Sequence, residues 1–281
     1  MPRSTPRSAA AWGGAEMGRL PATFWVGLAM VSAWVFSALF APWLAPADPL
    51  DIAFDAMEQP PSAQYWFGTD NYGRDMFSRV LHGGLHVLAI APAATVLGLA
   101  LGTAIGLLAA YLGGWRDEGL MRLMDAIMAF PLIVLALLAL AALGPSTVNV
   151  IVVIGLVFAP LIARTARAAA LVEVEREYVQ AARLRGESGL YILIGEVLPN
   201  IRGPLMVEAV IRVGYAVFTS ATLGFLGMGV QPPAPDWGVM ISENRALLTE
   251  APWTVLFPAA AIGFVVVGFS LMADGLQERE G

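Results

Sequence analysis

Long stretches free of Asp, Glu and Arg dominate this chain, and each ends at a cluster of charge, Pro or Gly. A helix needs roughly 20 mostly apolar residues to cross about 30 Å of hydrocarbon at 1.5 Å per residue. Six segments meet that need: 24–44, 86–112, 126–143, 148–167, 203–226 and 254–273. The first is longer than a signal-peptide core and reads as an uncleaved span closed by Pro42, Pro46 and Pro49. The uncharged run 126–163 is too long for one crossing. Gly144-Pro145-Ser146-Thr147 divides it into a helical hairpin. The expected fold is all-α, a polytopic membrane protein with six transmembrane helices. Residues 1–21 form an N-terminal segment, 22–277 the membrane domain and 278–281 a tail; loops 45–85 and 227–253 lie on one side.

Composition supports a lipid solvent. Apolar residues make up 58% of the 281 and charged residues 14%, against about 45–50% and about 25% in soluble domains. The basic residues are all Arg, and there is neither Lys nor Cys. A Lys Schiff base, a Lys-dependent phosphate loop, a thiolate nucleophile and Cys-based metal sites are therefore excluded. A net charge of −6 argues against a broad nucleic-acid surface.

Charge position is more telling. With both termini on one side, that side carries Arg3, Arg7, Arg19, Arg116, Arg122, Arg164, Arg167, Arg176, Arg183, Arg185, Arg202 and Arg279. The other side carries Arg74, Arg79 and Arg245, and Arg212 falls within a span. The positive-inside rule then places both termini and the 168–202 connection in the cytoplasm. The acids of 45–85 read as a solvated loop or as a docking surface for an external partner.

The 168–202 connection exceeds the 2–8 residues usual between helices. Residues 177–184 are good helix formers, Ala181 and Ala182 offer a small-residue face, and Gly186 breaks the helix. An apolar pattern resumes at Leu190–Ile194 and ends at Leu198-Pro199-Asn200. Such an element suits a docking lever or an amphipathic pair on the membrane surface. Glu177-Tyr178-Val179, Ala181-Ala182 and Gly186, followed by Leu198-Pro199, resemble the EAA signature of binding-protein-dependent ABC importer permeases. Residues 65–79, Met124-Asp125 with Phe130-Pro131, and 226–238 resemble further blocks of its dipeptide/oligopeptide/nickel subfamily, specifically the C-type member. Where that subfamily has Tyr-Gly-Ala-Arg, this chain has His82-Gly83-Gly84-Leu85, so no role of that Arg is carried over.

The resemblance implies a type I importer permease fold in a bacterial inner membrane. It implies a second, B-type permease, two ATPase subunits and an extracytoplasmic binding protein as partners. ATP and Mg belong to the ATPases, and no cofactor is bound by this chain. Glu177, Tyr178, Ala181, Ala182, Gly186, Leu198 and Pro199 are the implied coupling residues. The resemblance also singles out Gly68, Thr69, Asp70, Gly73, Arg74 and Asp75. Read from the residues alone, these form a capped turn with an Arg–Asp pair, because their spacing does not fit a calcium loop. Glu208 and Arg212, four apart within a span, are either an intrahelical ion pair or part of a pathway or interface. His82 and His86 share a face and lack the further ligands of a metal set. Gly98, Gly102 and Gly106 make a small-residue stripe suited to close packing. A stand-alone six-helix carrier or channel is the alternative; it would need internal repeats or an ionisable relay, and neither is evident.

Overall fold

The computed structural model of the chain describes residues 20–280. Arg3, Arg7 and Arg19, almost all of the N-terminal segment and Gly281 lie outside them. The elements are α1 (Ala22–Leu39), α2 (Ala41–Leu44), α3 (Met76–Leu112), α4 (Gly114–Met128), α5 (Leu132–Leu143) and α6 (Thr147–Val174). They continue with α7 (Glu177–Leu184), α8 (Gly189–Tyr191), a π-helical stretch Ile192–Val197, α9 (Leu198–Asn200), α10 (Arg202–Phe225), α11 (Trp237–Asn244) and α12 (Trp253–Glu280). The only β feature among the described residues is an isolated bridge between Thr69 and Asp75.

Five helices, α1, α3, α6, α10 and α12, are long and apolar enough to span. The expected span 126–143 is not one helix. Ala126–Met128 completes α4, and α5 follows after a break, bent by 85°. Pro131 is the cause, since its ring excludes the residue before it from helical conformation. A sixth crossing is still required. The pairs Gly98/Gly155, Gly102/Ala159 and Gly106/Ala163 ascend together, so α3 and α6 run parallel. The chain between them must therefore return across the bilayer. At 12 residues, α5 covers only about 18 Å, and the bent α4–α5 pair makes the return.

Several helices outrun the apolar segments that announce them. α3 begins at Met76 rather than 86, so the expected loop 45–85 stops ten residues early. Asp75 caps it by accepting from the Ser78 backbone at 2.7 Å. Gly83 and Gly84 do not break it; Trp237 lies on both, leaving no room for a Cβ at Gly83. α6 continues past 167 to Val174 and α12 past 273 to Glu280, because charge ends an apolar run without ending a helix. The 144–147 break is as expected. Ser146 caps α6, and the Asn149 amide donates to the Leu143 and Gly144 carbonyls at 3.0 and 2.9 Å, closing α5.

Two cores result. The larger gathers Ile90, Ala94, Leu140, Ile154, Phe158 and Ile162 with Leu223, Trp237 and Met240. The smaller lies at the end that carries 177–200. There Leu107 and Ala110 of α3 and Ala170 and Val174 of α6 meet Val179, Ala182, Ile192, Leu193, Val197 and Ile201.

The α3–α6 seam sets a sharp steric test. A Cβ on Gly102 would stand 2.6 Å from the Ala159 carbonyl oxygen, whereas one on Gly263 of α12 meets nothing within 4 Å. Gly102→Ala should destabilise the protein by about 1–3 kcal/mol, and Gly263→Ala should raise stability by up to about 1 kcal/mol. Thermal unfolding in detergent reads both signs.

Candidate functional site

The 177–200 segment is a folded knuckle. α7 ends in a Schellman turn: Glu187 N–H donates to Ala182 O at 3.2 Å, and Gly186 N–H to Arg183 O at 3.0 Å. Gly186 sits at φ +77°, a conformation glycine alone adopts freely. Ser188 then caps α8 through the Tyr191 backbone at 3.2 Å. Pro199 is tolerated in the first turn of α9.

The two alanines do not form one outward face, as their adjacency suggested. Successive helical residues point roughly 100° apart. Ala182 is buried in the smaller core, and Ala181 is exposed beside Glu177. The exposed apolar surface comes instead from Leu184, which is 90% exposed, with Leu190, Tyr191 and Ile194. Tyr178 points inward and donates to Glu173 of α6 at 2.7 Å. Burial, reinforced by that bond, pushes the phenol up to about 12, so it stays protonated and keeps donating. Arg185 lies 3.7 Å from Glu187 and 3.8 Å from Glu196, bridging both arms of the knuckle. Next to it, Arg167 of α6 forms a two-point pair with Asp117 of α4. Nothing in the motifs pointed to that pair.

At the opposite end, residues 68–75 form a latch. Thr69 Oγ1 accepts from the Gln59 backbone at 2.8 Å and donates to the Ala56 carbonyl. Gly73, at φ +74°, would place a Cβ against the Ala53 carbonyl. Gly68 is in the same backbone region, pressed between Gln59 and Trp253, whose indole N–H donates to Thr69 O at 3.0 Å. Asp70 accepts from the Tyr72 and Arg74 backbones and pairs with Arg74 Nε at 2.7 Å. Arg79 reaches the same carboxylate at 3.6 Å. Glu243 of α11 closes the square, 3.2 Å from Arg74 and 3.5 Å from Arg79. Asp70 is fully buried and Arg79 is 1% exposed. The capped turn with its Arg–Asp pair is thus present; Arg79, at the end of the 65–79 block, and Glu243, from outside it, complete the square. Glu243 is 169 residues from Arg74, so only the fold reveals it.

Asp236 and Trp237 hold α11 in place. Asp236 accepts from Val239 N–H at 3.0 Å, and Trp237 donates to Val80 O at 2.8 Å. Burial pushes the Asp236 carboxyl up to about 6, against the opposing pull of the Val239 and Gly238 N–H groups. Within the spans, Glu208 and Arg212 pair at 2.6 Å. Thr165 of α6 lies 3.3 Å from Glu208, and the Arg212 guanidinium sits 5.7 Å from the Phe158 ring and 5.5 Å from that of Tyr215. His82 Nδ1 engages the Ser78 carbonyl at 2.9 Å.

The chain is thus a helical membrane domain with a folded knuckle between two of its long helices. Residues 102–279 match the family model described as binding-protein-dependent transport system inner membrane component. A dipeptide transport system permease protein of Alkalihalophilus pseudofirmus is 39% identical over 90% of this chain and 83% of its own. A glutathione transport system permease protein of Escherichia coli O6:K15:H31 is 41% identical over 86% of this chain and 80% of its own. Among solved structures, a chain of the MetNI methionine ABC transporter, in inward-facing conformations, aligns with TM-score 0.60 at 18% identity. That alignment covers 73% of this chain and 97% of the other and shows a shared fold. The chain therefore belongs to the binding-protein-dependent transport system inner membrane component family.

The latch and Asp236 give two measurable outcomes. Asp70→Asn leaves two buried guanidiniums sharing one carboxylate and should cost about 3–5 kcal/mol in thermal unfolding. Arg122→Gln, which breaks a pair whose side chains are 78% and 62% exposed, should change nothing measurable. For Asp236, the folded chain holds the proton more tightly than the unfolded one, whose carboxyl titrates near 3.8. Its contribution to stability is therefore greatest at low pH and is lost as pH rises through about 6. Hydrogen exchange in α11, corrected for intrinsic rates, should quicken between pH 5 and pH 7, and Asp236→Asn should flatten that dependence.

Proposed function

We propose that this chain is one of two permease subunits of an ATP-driven importer for short peptides or related small solutes, and that residues 177–200 couple it to partner ATPases. The observation that carries the coupling reading is the knuckle itself. Its inner face is locked to α3 and α6, while Leu184, Leu190, Tyr191 and Ile194 stay exposed, Leu190 and Ile194 along an apolar groove shared with α3 and α10. Apolar side chains in that number on a folded surface mark an interaction site. Arg164, Arg176, Arg183, Arg185 and Arg202 surround the same end, which supports a cytoplasmic placement and cytoplasmic termini.

In this reading the two ATPases bind ATP and Mg. This chain contributes no phosphate loop, because the Lys that loop needs does not occur in it. A binding protein delivers solute at the latch end. ATP-driven closure of the ATPases displaces the knuckle, and the helices anchored to it tilt between two openings. Glu177, Ala181 and Leu184 face the ATPase. Tyr178 and Ala182 shape the knuckle from within, and Leu198 and Pro199 line an apolar groove against α3 and α10. The Glu208–Arg212 pair holds α10 against α6, since Thr165, beside Glu208, and Phe158, beside Arg212, belong to α6. The similarity to dipeptide and glutathione transport system permeases supports short peptides as the solute class.

The test is transport by the complete importer, reconstituted with its partner permease, ATPases and binding protein. Gly186→Arg requires a left-handed backbone at a non-glycine residue, costing about 1–2 kcal/mol, and adds a bulky charge to the outer surface. Transport should fall more than tenfold while the subunit still inserts. Wild-type rates from that variant would refute the coupling role.

A further inference from the structure

One residue at the knuckle belongs to no motif and is not accounted for by the coupling surface. Tyr111 is the penultimate residue of α3, and its ring packs partly buried on the edge of the smaller core. The Arg183 guanidinium stands 5.2 Å from the ring centroid. A Cβ on Gly189 would meet the same ring at 2.8 Å from Cε1 and 2.9 Å from the hydroxyl oxygen. Arg183 belongs to α7 and Gly189 to α8, on opposite sides of the turn at Gly186. A single ring on α3 is thus in contact with both arms of the knuckle.

The knuckle also packs on Leu107 and Ala110 of α3, but its covalent link is to α6. α7 follows α6 after two residues, and Tyr178 ties back to Glu173. A displacement of the knuckle reaches α6 through the chain itself. It reaches α3 through side-chain contact, and Tyr111 is where α3 touches both arms. Higher up, α3 and α6 pack backbone to backbone: a Cβ on Gly106 would stand 2.5 Å from Ala163 O.

We propose that Tyr111 is a positioning residue that transmits displacement of the 177–200 segment to α3, so that α3 and α6 respond as one body. The proposal rests on the coupling reading above and adds a second route from knuckle to membrane. The contacts are made by the ring, and the hydroxyl has no hydrogen-bond partner among the described residues, so phenylalanine should serve in its place.

The experiment uses the complete importer in proteoliposomes and measures solute uptake and ATP hydrolysis on the same preparation. Tyr111→Ala should cut uptake at least tenfold while ATP hydrolysis stays within about twofold of wild type. Tyr111→Phe should keep both within about twofold. Gly189→Ala, which leaves the tyrosine in place but forces its ring aside, should lower uptake per ATP in the same direction. It serves as the deciding variant if Tyr111→Ala does not assemble. An unchanged uptake-to-hydrolysis ratio in Tyr111→Ala and Gly189→Ala overturns the proposal. So does a Tyr111→Phe variant as impaired as Tyr111→Ala; a proportional fall in both activities of Tyr111→Ala is the mark of lost assembly, and the ratio in Gly189→Ala then decides. Failure of the wild-type complex to couple uptake to ATP would instead sink the underlying assignment of function.

Discussion

The backbone-to-backbone seam between α3 and α6 is the constraint on which the remaining architecture depends. In a bilayer the hydrophobic effect gives helices no reason to associate, so close approach must supply the attraction. Gly98, Gly102 and Gly106 remove side chains from one helix, and Gly155, Ala159 and Ala163 present carbonyls on the other. The seam fixes α3 and α6 as parallel neighbours. Parallel neighbours require a return crossing between them, which the bent α4–α5 pair provides. They also end on the same side, and their last turns form half of the smaller core under the knuckle.

The two ends of the molecule solve different problems. The latch end buries charge in a four-member square, and each member there is worth more as part of the set than alone. That set joins the segment before α3 to α11, so two loops far apart in sequence become one cap. The knuckle end keeps most of its charges at the surface and exposes apolar side chains instead. One end is closed around its own polar groups, and the other leaves apolar side chains open.

Much of this was legible in the residues. Uncharged runs marked the spans, since exclusion of charge is a direct consequence of lipid. Gly144-Pro145 marked the hairpin, and Gly186 the turn of the knuckle. The spacing of Gly98, Gly102 and Gly106 marked the packing face. The helix ends were less legible, because a helix continues into water after its apolar run stops, as α6 does to Val174. The kink at Pro131 was hidden for a related reason: the apolar run 126–143 passes from the end of α4 into α5, and hydropathy does not record an 85° bend. In the candidate site, the turn at 68–75 was readable as local capping chemistry, whereas its closure by Glu243 was not.

The sequence by itself determined that the chain lives in a membrane, roughly where it crosses, which end gathers Arg, and that it holds no Lys for a Lys-dependent phosphate loop. Each of these follows from composition within a window of chain, where solvent and local backbone preference decide. Only the tertiary structure decided that Ala182 faces inward and Ala181 outward, that Arg79 and Glu243 complete the latch, that Asp117 meets Arg167, and that Tyr111 touches both arms of the knuckle. These depend on side chains brought together across 50 to 169 residues or turned by the phase of a helix. Local pattern carries the period of an element but not which neighbour stands against it.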